Sequence, residues 1–305
     1  MEKVEFYGLQ NCYRIFNKTI ELIATTETGP NIVSFGFVGD RNEFFGKTPW
    51  GIAGHVLRHA PEAQERNFPA KDPVAVEEHD KFIRLTQPTE KPTGIQKEMD
   101  IPVSIEGNHL RIVHRLYNRG LWPVKLAAWA STLMPAGGRA VFPLPPRFPP
   151  RGGGSLLPTS SIAIWCYCDL SDPRLVLGKK YLMLKQDDKV PDAYKLGMLV
   201  SDGWTAYHHD GHLFVITYEY KYGASYPDFN SPVECFSAAE ALELETLAPF
   251  VTLEPGNSTE HVENWHLFRD VPEPQNDNDI DQNILPLIHG IWNSEQTKTC
   301  KSVQE

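Results

Sequence analysis

A chain of 305 residues with ordinary apolar content can bury a sizeable core, and no run of about 18 apolar residues is present to cross a membrane. The net charge is −10 and the Lys and Arg residues are scattered, which argues against nucleic acid as the main partner. The opening MEKVEFYGLQNC lacks the basic-then-apolar layout of a secretory signal, so the expected location is the cytoplasm.

Most of the chain reads as strands. TIELIATT and NIVSFGFVG come first, short runs rich in β-branched and aromatic residues and bounded by turn residues. GIAGHVLRHAPEA follows and is the best helical candidate. KFIRLTQ, IPVSIEG, LRIVHRLYN and VKLAAWAST return to strand character, with Gly107-Asn108 a hairpin centre between the second and third. Residues 141–160 are rich in Pro and Gly and read as a long loop, functional or mobile. SIAIWCYC then places Cys166 and Cys168 on one strand face. Buried free thiols are expected for the cysteines, with a metal or redox role as the alternative.

Asp210-Gly211 marks another hairpin, whose YHHDGH histidines are expected to be exposed turn residues. HLFVITYEY and EALELETL are the last clear strands, with a short helix near SAAEA between them. From about Val271 the chain turns polar, and after ILPLIHGIW it ends in a charged tail. The expected architecture is all-β, a large antiparallel β-sandwich with few short helices. Residues 1–270 form one domain in this reading, and 271–305 form an extension that is partly packed and then frayed.

In LELETL, Glu243 and Glu245 are two apart and share a strand face, while Leu242 and Leu244 fill the other. Carboxylates are costly to desolvate without a partner, so the pair is a solvated face, a structural pair or an acid/base centre. RGGGS lacks the strand-turn-helix setting of a phosphate loop, which leaves NAD and nucleotide cofactors without support. No cofactor is expected.

The order of four segments resembles the galactose mutarotase-like (aldose 1-epimerase) superfamily of sugar-binding β-sandwiches. IELIATTETGPNIVSFGF resembles its opening strands, and GHVLRHAPE at 54–62 stands where that family places a loop on the sugar. NRGLWPVKLAAWAST at 118–132 is similar to the strand entering its cleft, and LELETLAPFVTLEPGNSTEHVENW at 242–265 to its closing motif. The resemblance spans roughly residues 5–270 and points to a branch apart from the mutarotases proper.

What it implies is an isomerase acting on a free sugar or sugar acid. A base takes the proton of the anomeric hydroxyl while an acid protonates the ring oxygen. The family's base matches Glu245. Its acid, a His, is replaced here by Trp129, and indole delivers no proton near neutral pH. His55, His59 or Lys195 would then supply the acid, or the reaction differs, or the site binds sugar without turning it over. His55 is the first candidate.

His55 and His59, four apart on the expected helix, also have metal-ligand spacing, with sugar contact or a local structural role as the other readings. No metal is assigned. Trp129 is a candidate sugar-stacking platform or a core residue. Arg58, Lys195 and Glu243 would grip hydroxyls or carboxylates, and Asp228 and Glu234 would line the same cleft. Besides the isomerase, two further readings stay open, a non-catalytic carbohydrate-binding protein and a lyase or hydrolase acting on oligosaccharides. The expected partner is a small saccharide, with neither nucleic acid nor membrane, and the oligomeric state is unknown.

Overall fold

The computed structural model describes residues 1–49, 51–64, 66, 72–147 and 157–302, with side chains through residue 294. Two large antiparallel sheets pack face to face. The first runs, edge to edge, through Glu2–Phe6, Leu9–Phe16, Ile20–Thr25, Asn31–Phe37, His55–Ala60, Val124–Pro135, Ala241–Leu247, Val233–Ser237, Tyr194–Met198 and Ile162–Ile164. The second runs through Leu175–Leu177, Tyr181–Lys185, Arg139–Pro143, Trp204–His209, His212–Tyr218, Ser258–Phe268, His109–Asn118, Ile95–Pro102, Phe82–Thr86 and Ala75–Glu78. The main core lies between them, where Leu22, Phe35, Leu196 and Leu244 of the first sheet meet Ile112, Phe142, Phe214 and Trp265 of the second. This is the expected all-β sandwich. It follows from the period-2 patterns, which give each strand one apolar face to bury.

The segment GIAGHVLRHAPEA is not a helix. Residues His55–Ala60 form a strand between Asn31–Phe37 and Val124–Pro135, pairing Ala60 with Ala127 and His55 with Thr132. The open ladder positions on both sides decide this, because a short isolated helix has no comparable gain. Near SAAEA there is likewise no helix. Val233–Ser237 turns directly into Ala241–Leu247, and the Ala238 N–H closes the turn on the Ala241 carbonyl.

The helices lie elsewhere. Asn276 caps Asp277–Asn283 by accepting the Asn278 and Asp279 N–H groups, and a second helix spans Leu285–Ser302. Ile280, Ile288 and Ile291 of these helices, with Ile284 at their junction, bury against Val141, Trp204, Leu213 and Val215 on the outer face of the second sheet.

Three further expectations change. The strand Ile162–Ile164 ends before the C-x-C, so Cys166 is exposed and Cys168 half-buried, while Cys12 and Cys235 are buried. The hairpin at Asp210-Gly211 is present, with φ of 43° and 80°, but its histidines are anchors. His208 is buried against the Val271 carbonyl at 2.7 Å and His212 bonds Glu43 at 2.6 Å. Of the expected 141–160 loop, 141–143 belong to the strand Arg139–Pro143, and 148–156 lie outside the described residues.

Candidate active site

Five neighbouring strands of the first sheet build the site, and register decides which side chains meet. Ser131 stands opposite Glu245, Glu245 opposite Glu234, and Trp129 opposite both Leu247 and Arg58. Lys195 lies opposite Phe236 on the next strand, and Gly197 opposite Glu234. Because alternate residues face alternate sides, Leu196, Cys235, Leu242 and Leu244 point into the core. Arg58, Trp129, Ser131, Lys195, Glu234, Glu243 and Glu245 therefore share the outer face of this sheet. Gly197 is required there, since a Cβ would come within 2.5 Å of the Ser231 hydroxyl.

Lys195 is the hub. Its Nζ lies 3.0 Å from Glu234, 3.4 Å from Glu245 and 3.4 Å from Glu62, and it sits 4.8 Å over the rings of both Trp129 and Trp165. The Trp129 indole N–H donates to Glu245 Oε1 at 3.0 Å. Glu243 accepts the Ser131 hydroxyl at 2.8 Å and pairs with Arg58 at 3.4 Å. The Arg58 guanidinium in turn lies 5.1 Å over the Trp129 ring. Cys168 clips the Lys195 backbone in place, its sulfur accepting the Lys195 N–H at 3.0 Å.

Four carboxylates thus share two cations, and the three on the sheet, Glu234, Glu243 and Glu245, do not titrate alike. Burial pushes Glu245 up to about 7, with Glu243 adding to the rise and Lys195 opposing it. Burial and the charge of Glu245 push Glu234 to about 9, again against Lys195. For Glu243, burial is outweighed by Arg58, the Ser131 hydroxyl and Lys195, which hold it below the usual range. Burial would lower Lys195, but Glu245 and Glu234 hold it raised. The site therefore contains one firmly ionised carboxylate, one poised near neutrality and one protonated.

Two cavities flank the cluster. One of about 450 Å³ is lined by Glu243, Ser131, Arg58, Asn31, Lys97 and Phe236 among others. The second, about 390 Å³ and more open, is lined by Glu62, Ala63, Gln64, Trp165 and Asp228. Asp228 stands on a tight turn in which Asp228, Phe229 and Asn230 all have positive φ, of 46°, 59° and 72°. That conformation is costly for non-glycine residues, and of the three side chains it is Asp228 that lines the cavity.

The structure brings together Arg58, Trp129, Lys195, Glu234, Glu243 and Glu245, with Asp228 at the rim. It separates the two histidines from them. His55 pairs in register with Thr132, shares its inward face and is fully buried, bonded to Thr132 at 2.8 Å and His114 at 2.7 Å. It cannot serve Glu245 as an acid, because the sheet lies between them. His59 shares that parity and bonds Glu90 at 3.2 Å. Trp129 does not offer a stacking face in this arrangement. It is 2 % exposed, cations lie over its ring, and its role is to hold Glu245.

Two neighbours were not anticipated as site residues. Glu62 follows the His55–Ala60 strand after Pro61, a position that the helical reading of this segment concealed. Trp165, just before the C-x-C, carries no site signal in the sequence. Only the fold around Lys195 places it at the cavity. On the inward side of the sheet, donor atoms of His55, His114 and Glu263 lie within 4.8 Å of one another and could hold a metal ion.

No model of a known protein family matches the chain, and no curated protein matches its sequence. Solved structures do match its fold. A candidate aldose 1-epimerase from Escherichia coli K12 aligns with a TM-score of 0.56 at 11% identity, covering 85% of this chain and 99% of that one. A galactose mutarotase-like protein from Lactobacillus casei ATCC 334 gives 0.56 at 12% identity, with 85% and 100% covered. A candidate aldose 1-epimerase from Klebsiella pneumoniae gives 0.52 at 13% identity, with 83% and 78% covered. The chain has the galactose mutarotase-like sandwich fold.

Proposed function

We propose that this protein is an aldose 1-epimerase-like isomerase of a free sugar, with Glu245 as general base and Glu234 as general acid. One observation carries the reading. Glu234 and Glu245 are cross-strand neighbours bridged by one ammonium group, and their environments push them to about 9 and about 7. A pair of titratable groups whose affinities for protons are set apart is what acid/base work needs.

In the forward step Glu245 takes the anomeric hydroxyl proton while Glu234 gives one to the ring oxygen. The ring C–O bond breaks and the open-chain aldehyde forms. Glu245 now holds a proton and Glu234 a charge, so the roles reverse when the ring closes on the other face of the carbonyl. Lys195 faces both carboxylates and offsets whichever is ionised. Glu243 and Arg58 are left to bind hydroxyls. Sugar enters from the side of Glu62, Trp165 and Asp228, where the cavity is more open.

A second reading has its own support. Glu245 and Glu234 are 0 % and 1 % exposed, so a ligand reaches them only by an opening of the side chains over them, the Lys195–Glu62 contact included. A protein that binds saccharide in a flanking cavity without that opening would be a non-catalytic binder. The deciding experiment is an NMR screen of common aldoses, following line broadening for binding and magnetisation exchange between anomers. Catalysis is expected in the wild type, with Glu245→Gln and Glu234→Gln each lowering kcat by about 10²–10⁴-fold while binding persists. Binding with no acceleration of anomer exchange sinks the isomerase and leaves the binder.

A further inference from the structure

We infer that the interior of the sandwich contains a binding site for a divalent transition metal of the zinc class, formed by His55, His114 and Glu263. It lies on the opposite side of the first sheet from the carboxylate cluster and is independent of the isomerase reading.

The three side chains come from both sheets. His55 projects inward from the first, and His114 and Glu263 from adjacent strands of the second. All three are fully buried, and their donor atoms lie within 4.8 Å of one another. Two imidazoles and one carboxylate form a donor set suited to zinc.

Their outer contacts are those that orient metal ligands. His114 donates its Nδ1–H to the His261 carbonyl at 3.0 Å, which leaves the Nε2 lone pair directed at His55. His55 Nδ1 lies 2.8 Å from the Thr132 hydroxyl. Glu263 accepts the Trp265 indole N–H at 2.7 Å and the Thr246 hydroxyl at 2.5 Å. The same hydroxyl lies 2.6 Å from His261 Nε2, the next nitrogen in the network.

Charge and proton count point the same way. Among the described residues no Lys or Arg pairs with Glu263, and its nearest basic group is His55 at 3.9 Å. An ionised carboxylate buried with neutral partners alone is costly, and a divalent cation offsets that cost. His55 Nε2 and His114 Nε2 lie 2.7 Å apart with room for one proton between them. When metal binds, His55 moves its single proton from Nε2 to Nδ1, where the Thr132 hydroxyl accepts it. Both Nε2 lone pairs are then free for the ion. Nitrogens on a tetrahedral ion at about 2.0–2.1 Å stand about 3.4 Å apart, so the rings need to part by less than about 1 Å.

Burial dictates the test. The full chain, freed of any affinity tag, is unfolded, stripped with EDTA and refolded with Zn²⁺ or Co²⁺. Elemental analysis is expected to find one metal per chain. Native protein should keep it against EDTA and lose it when EDTA is added in denaturant, unlike a surface ion. The Co²⁺ form should show the intense visible bands of a tetrahedral site. His114→Ala and Glu263→Gln should lose the metal, while His79→Ala, at an exposed turn, should retain it. Absence of stoichiometric metal in refolded wild type overturns the proposal, as does release by EDTA from native protein or full retention in His114→Ala. Should the core variants not fold, metal content, EDTA resistance and the Co²⁺ spectrum of the wild type decide alone.

Discussion

Glu234 and Glu245 meet across one strand pair, and Lys195 is the only cation that contacts both among the described residues. Their protons come off in two steps that belong to the pair. With Glu245 at about 7 and Glu234 at about 9, the proposed mechanism requires the first ionised and the second protonated. Anomer exchange should therefore rise with pH through about 7 and fall through about 9. Lys195 opposes the rise of both carboxylates, so Lys195→Met should raise both further and move the ascending limb upward. Exchange rates by NMR across pH 5–10 test this, and a flat profile would remove the pair from the chemistry. Glu243 and Glu245 were legible in the sequence because strand alternation alone puts them on one face. Lys195 and Glu234 were legible only as candidates. Their union with Glu245 depends on cross-strand register, which no local pattern encodes. The family's acid position was misleading in a useful way. Trp129, which the resemblance set in place of that acid, donates its N–H to Glu245, and the carboxyl pushed to about 9 lies two strands away, at Glu234.

At the scale of elements, the strand His55–Ala60 shows how pairing overrides a local pattern. Its inward residues, His55, Leu57 and His59, are compatible with either period over so short a span. One consequence is the buried cluster at its end. Glu90 bonds His59 at 3.2 Å and the Thr93 hydroxyl at 2.6 Å, and pairs with Lys97 at 2.6 Å. Burial pushes Glu90 up, but His59, Lys97 and Thr93 outweigh it and hold it down at about 2. A depressed carboxyl stabilises the fold above its unfolded value of about 4.5, and that contribution is lost as pH falls toward about 2. About 3 kcal/mol is at stake. Urea melts of Glu90→Gln should show that loss at pH 7 and a shallower decline in acid. The C-terminal helices give a second test. Their isoleucines recur at helical spacing, a signal obscured in the sequence by the polar residues around them. Ile288→Ala should cost about 2–4 kcal/mol in a thermal or urea melt. Anomer exchange should be unaffected, because Ile288 packs on the outer face of the second sheet.

At the scale of the whole molecule, the two-sheet architecture was legible from many short alternating strands, whereas the division of labour between the faces of the first sheet was not. That sheet has polar clusters on both sides, the carboxylates outside and the histidines inside. Only the register of Val124–Pro135 sorts them, with Ser131 toward one and Thr132 toward the other.

The charge of the molecule then limits the sugar. The chain carries −10, and with Glu234 protonated the two cavities and the cluster between them still present Glu62, Asp228, Glu240, Glu243 and a partly ionised Glu245 against Arg58, Lys97 and Lys195. Lys97 is engaged by Glu90 and Arg58 by Glu243, so neither is free to meet a ligand carboxylate. A neutral aldose should therefore bind more tightly than the corresponding uronate. The difference should be largest at low salt, where the field reaches about 30 Å at 0.01 M, and smaller at 0.1 M, where it reaches about 10 Å. Calorimetric titration with galactose and galacturonate at the two ionic strengths measures this directly. Tighter uronate binding would mean that Arg58 leaves Glu243 for the ligand. Glu243→Gln would then strengthen uronate binding further, and the cavity beside Glu243 would be the one that takes the sugar.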